Sequence, residues 1–66
     1  MADRSADLLT AAGATRELSR LGVVLSEASV RRAADRGELA ATRTVDRGIR
    51  LFRVADLRAF ATTRRA

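Results

Sequence analysis

The sequence predicts a small α+β domain, mostly helical, made of two helices, a two-stranded hairpin and a short C-terminal helix. Three observations predict it. Two apolar-periodic segments are each followed by a glycine, Gly22 and Gly37; β-branched residues flank Gly48; and a last segment, VADLRAFATT, has apolar residues at helical spacing.

In the first helix, LLTAAGATRELSRLG, Leu18 and Leu21 lie about one turn apart, and Leu8, Ala11 and Ala14 roughly continue their face. Ser5, Thr10 or Thr15 could cap its start, and Gly22 suits its end, placing the helix at about 10 to 21. Residues 1–7 read as a loose polar leader.

A short apolar turn, GVVL, leads to the second helix. Ser26 is its cap, Glu27 sits favourably at the positive end, Arg36 falls in the last turn and Gly37 terminates it. By the 100° step, Val30, Ala33 and Ala34 share an inner face, while Ala28, Arg31, Arg32 and Asp35 point largely outward.

From Ala41 the period changes to two. ATRTV and IRLFRV flank Asp46-Arg47-Gly48, read as a three-residue hairpin loop with Gly48 at positive φ. Pairing Val45 with Ile49 would put Arg43, Val45, Ile49 and Leu51 on one face and Thr42, Thr44, Arg50, Phe52 and Val54 on the other. The third helix spans VADLRAFATT, with Leu57 and Phe60 three apart, and frays into a basic tail at 63–66.

Composition narrows the function. At 66 residues the chain is one domain at most, of a size that buries only about 60% of its unfolded surface. The apolar fraction is 47%, yet 14 of those residues are alanine, so the core rests on a few Leu, Val, Ile and Phe side chains. With no cysteine or histidine there is no disulfide, no thiolate or imidazole metal site and no histidine base; no cofactor is expected. Lysine and tyrosine are absent too, no glycine-rich phosphate loop occurs and the acids are scattered, which argues against an enzyme. No signal-peptide pattern opens the chain and no stretch nears the roughly 20 apolar residues of a membrane span, so a cytoplasmic protein without membrane partners is expected.

Charge is distributed unequally. Residues 1–30 carry three arginines against four acids, residues 31–66 ten against four. All 13 basic residues are arginine, which grips phosphate bidentately and reads guanine edges. Codon bias in a GC-rich genome would explain arginine over lysine, but not the asymmetry between halves.

A basic helix after a turn, followed by a basic hairpin, suits double-stranded DNA, whose major groove admits a helix and whose neighbouring phosphates or minor groove admit a hairpin tip. The candidate DNA-contacting residues are Ser26, Glu27, Ala28, Ser29, Arg31, Arg32 and Arg36 on the second helix and Arg43, Arg47 and Arg50 on the hairpin. Alternatively these arginines form a solvated face with Glu27, Asp35 and Asp46.

Four pieces in order carry a family resemblance: Val30-Arg31-Arg32, Gly37-Glu38-Leu39, Gly48-Ile49-Arg50-Leu51-Phe52 and Asp56-Leu57. The stretch resembles the winged helix-turn-helix of the MerR-like and phage excisionase group. The resemblance implies that the helix of Arg31 and Arg32 enters the major groove, that the Asp46–Gly48 tip is the wing, that Phe52 faces inward and that no cofactor is needed. Two departures stand out. Ala33 replaces a common tryptophan, shifting a core contact to Phe52 or Phe60, and the turn after Leu21-Gly22-Val23 is about two residues longer than in compact members, similar to the lambda type of excisionase.

The resulting expectation is an excisionase, a recombination directionality factor that binds and bends attachment-site DNA so that a phage integrase excises, with self-association on the DNA. A chain with no room for a sensor or coiled coil suits that role, and equally a minimal MerR-like transcription regulator. A reading of another class is a protein-interaction adaptor that docks through Val45, Ile49 and Leu51.

Overall fold

A computed structural model describes residues 7–65. Along the chain lie β1 (Leu8–Leu9), α1 (Ala11–Arg20), α2 (Glu27–Asp35), β2 (Thr42–Arg43), β3 (Arg50–Arg53) and α3 (Val54–Arg65). The strands form an antiparallel sheet in the order β1-β3-β2, and with the three helices make a small α+β, winged-helix-like fold.

Thr10 is the cap of α1. Its hydroxyl accepts from the Gly13 amide at 3.3 Å and its carbonyl from the Ala14 amide at 2.7 Å. The chain just before a cap is extended, and here it becomes a strand rather than helix. Leu8 lies opposite Arg53 and Leu9 opposite Phe52, and the Asp7 carbonyl accepts from the Val54 amide at 3.1 Å. Leu8 therefore belongs to the sheet, contrary to the helical face expected of it. The two-stranded hairpin of the sequence reading is part of a three-stranded sheet.

Both α1 and α2 end alike. The Val23 amide donates to Leu18 O at 2.8 Å and Gly22 to Ser19 O at 3.1 Å; after α2, Glu38 donates to Ala33 O at 2.9 Å and Gly37 to Ala34 O at 3.1 Å. This closure needs a left-handed residue, and Gly22 and Gly37 supply it at φ 92° and 78°. An L side chain there costs roughly 1–2 kcal/mol. Val23 and Leu39 then turn into the core.

The hairpin register differs by one residue from the expected one. Thr42 faces Leu51 and Arg43 faces Arg50. Thr44, not Val45, meets Ile49: its amide donates to Ile49 O at 2.9 Å and its Oγ1 accepts from the Ile49 amide at 3.0 Å. The turn thus holds four residues, 45–48, closed by the Gly48 amide donating to Thr44 O at 3.0 Å. A one-residue slip exchanges the faces of β2. Arg43 joins Arg50 and Phe52 on the inner side, Thr42 and Thr44 join Ile49 and Leu51 outside, and Val45 stands fully exposed at the tip.

One core cluster draws on every layer: Ala14 and Leu18 from α1, Val30 and Ala33 from α2, Phe52 from β3, and Leu57, Phe60 and Ala61 from α3, joined by Val23 and Leu39. Phe52 faces inward and is fully buried, and both it and Phe60 pack in the cluster that holds the small Ala33. Glu17 is buried at 7% exposure, its carboxylate held by Arg20 at 2.9 Å.

α3 runs on through Arg65 instead of fraying at 63. Thr62 and Thr63 hydroxyls donate to the carbonyls of Arg58 and Ala59, and Arg64 lies 4.9 Å from the Phe60 ring centre and 3.5 Å from Glu38. The expected leader, apart from Asp7, lies outside the described residues, as does Ala66 of the expected tail. Among the described residues no helix is long and apolar enough to cross a membrane.

Candidate nucleic-acid interface

Burying Val30 and Ala33 turns the opposite face of α2 outward, leaving Ala28, Arg31, Arg32 and Asp35 exposed. Ser26 and Ser29 serve its first turn: Ser26 Oγ accepts from the Ser29 amide at 3.1 Å and donates to Ser29 Oγ at 3.1 Å. Glu27 lies 3.8 Å from Arg31 one turn on. Such exposed pairs contribute a few tenths of a kcal/mol, about enough to bias a rotamer.

Where α2 meets the hairpin, a notch of about 430 Å³ opens. Arg31 of α2, Arg43 of β2, Arg47 and Gly48 of the turn, and Arg50 of β3 line it, with Glu27 and Ile49. Its remaining wall is the start of α1: Thr10, Ala11 and Ala12. The register explains the convergence, because pairing Arg43 directly opposite Arg50 sends both side chains to the same side of the sheet.

Like charges so close repel, and the fold offsets part of this. Asp35 reaches from α2 to ion-pair with Arg50, whose side chain is 22% exposed, and Glu27 attends Arg31. Arg43 and Arg47 have no ion pair among the described residues. Four guanidiniums against two carboxylates leave the notch positive, and α1 adds to this by carrying no acidic residue in its first turn. Such a site suits a phosphodiester, which accepts paired N–H donors from guanidinium. Among the described residues no cluster of acids suits a metal ion.

The structure therefore brings Glu27, Arg31, Arg43, Arg47 and Arg50 together, sets Ala28 and Arg32 on the outward face of α2, and keeps Ser26 and Ser29 at its cap. Arg36 stands apart, on the other flank of α2 and ion-paired with Glu38. The candidate contacts expected from the sequence include none in the first helix, yet the start of α1 lines the notch, and in the sequence only the cap at Thr10 marks that place. Asp35, expected as a partner of these arginines on a solvated face, pairs with Arg50, 15 residues away. The chain matches no protein-family model, no curated protein and no solved structure.

Proposed function

We propose that this chain is a sequence-specific double-stranded DNA-binding protein, and within that class an excisionase that binds and bends attachment-site DNA to turn a phage integrase toward excision. One observation carries the DNA reading. α2 contributes Glu27 and Arg31 to the wall of a four-arginine notch, so a helix of groove-entering size and a basic site suited to phosphate share one surface. Arg32 on the outward face reads base edges, the notch takes backbone phosphate, and the 45–48 turn is the wing. The excisionase assignment rests on the resemblance over Val30 to Leu57.

Self-association on DNA belongs to the same proposal. A single module of this kind buries only about 600–1,000 Å² on DNA and reads few base pairs. The outer side of the sheet offers Leu8, Ile49 and Leu51, of which Leu8 and Ile49 are exposed. A second protomer on an adjacent site would cover them.

The test is duplex binding across a salt series, followed by integrase-mediated excision of attachment-site DNA with and without the protein. Steep salt dependence and a gain in excision are expected. Duplex binding absent at all salt concentrations would favour an adaptor, and tight binding without an effect on excision a regulator.

A further inference from the structure

The opposite flank of α2 carries a second basic notch, away from the wing. It has a volume of about 460 Å³ and is lined by Leu25, Ser29, Arg32, Arg36 and, from α3, Arg64. By the 100° step Arg31 and Arg36 stand about 140° apart around α2, with Arg32 between them. One thus borders the wing side and the other the α3 side.

We propose that this second notch is a backbone-phosphate site, and that the duplex is held on both sides of α2, one strand at the wing and the other at α3. The proposal rests on the DNA-binding reading. A helix about 10–12 Å across fills a major groove about 12 Å wide, so a sugar-phosphate strand runs along each of its flanks. The wing notch accounts for one strand only.

The local chemistry fits a phosphodiester. Among the described residues Glu38 is the one carboxylate bonded to these arginines: it takes Nε of Arg36 and lies 3.5 Å from one terminal nitrogen of Arg64. The terminal nitrogens of Arg36 and the other donors of Arg64 remain for a ligand. Arg64 is also steadied over the Phe60 ring at 4.9 Å. Ser29 Oγ accepts from Ser26 and, at 3.5 Å, from Arg32, leaving its own proton to donate. Three guanidiniums against one carboxylate leave the notch positive.

The experiment compares the full chain with Arg36→Ala, Arg64→Ala, Arg64→Lys and the wing variant Arg47→Ala on one random-sequence duplex, by fluorescence anisotropy from about 50 to 200 mM salt. Arg36→Ala and Arg64→Ala should each lower the log–log slope by about 1, Arg64→Lys should keep it, and combining Arg64→Ala with Arg47→Ala should lower it by about 2. On a duplex carrying a single selected binding site, phosphate-ethylation interference should lose contacts on one strand for Arg64→Ala and on the other for Arg47→Ala. Thermal melting guards against a lost fold, and Arg36→Ala carries the test if Arg64→Ala unfolds. If Arg47→Ala lowers the slope while Arg36→Ala and Arg64→Ala leave it unchanged, the second site is overturned and the DNA reading stands. If the native chain shows no salt-dependent duplex binding, both fall.

Discussion

Asp35 on α2 and Arg50 on β3 form an ion pair that clasps the outward helix to the hairpin. The clasp joins the two elements and also neutralises one of the four guanidiniums that line the wing notch. Arg50 is thereby tied to the scaffold by Asp35, whereas Arg43 and Arg47 have no ion pair among the described residues.

Asp35→Asn separates these roles. The pair is partly exposed, so its loss should change stability by no more than about 1 kcal/mol. On the DNA-binding reading, removing the carboxylate frees Arg50 toward the notch and takes away a negative charge beside the phosphate. Duplex affinity should rise and the salt slope steepen by up to about 1. Melting curves and anisotropy titrations measure the two effects, and a fall in affinity would show that the clasped geometry matters more than the freed charge.

Arg32 and Arg47 should divide specificity from affinity. Arg32 projects from the middle of the exposed face of α2, whereas Arg47 sits in the exposed hairpin turn. Arg32→Ala should cost about 1–3 kcal/mol at the preferred site and flatten discrimination between sites. Arg47→Ala should weaken binding to every duplex alike. Binding-site selection with both variants distinguishes them, and equal loss on specific and random DNA for Arg32→Ala would demote it to a phosphate contact.

Phe52→Ala should unfold the chain or nearly so. The ring is fully buried within the core cluster, and truncating such a ring costs about 3–5 kcal/mol. Small domains hold about 5–15 kcal/mol in total, and this one is near the small end of the size range. Urea denaturation followed by circular dichroism should show the midpoint collapse. A midpoint close to that of the native chain would mean that Phe60 and Leu57 refill the space.

What the sequence made legible was local. Ser26 before an apolar run and Gly22 and Gly37 after one bound the helices, because caps act on backbone groups within a turn of themselves. What it hid was decided at a distance. Leu8 and Leu9 form a two-residue strand, too short for any period, whose partners Phe52 and Arg53 lie at the far end of the chain. The hairpin register turned on whether Val45 pairs or turns, and Gly48 takes positive φ either way; Thr44 decides it by accepting from the Ile49 amide. The basic wing was visible as a run of arginines, but its convergence into a notch follows from that register and from α1 closing the wall. Arg64 read as a fraying tail because its supports, Phe60 and Glu38, come together only in the fold.

Ile49 tests assembly on DNA. It is 44% exposed on the outer side of the sheet beside the half-buried Leu51, so a polar replacement there leaves the core closed. If adjacent protomers on DNA cover this face, burial of Ile49 contributes on the order of 1 kcal/mol per contact, roughly a fivefold effect on loading the second protomer. Ile49 also borders the wing notch, so Ile49→Ser should lower single-site affinity slightly at most, and it should lose that cooperative step on a duplex with repeated sites. Leu51→Ser, cut from a half-buried position, should lose cooperativity and some stability together. Gel-shift titrations on one-site and repeated-site duplexes, with a melting curve for each variant, read out both. A folded Ile49→Ser protein that still fills repeated sites as steeply as the native chain would remove this face from the assembly and leave its aliphatic groups as cover for a small core.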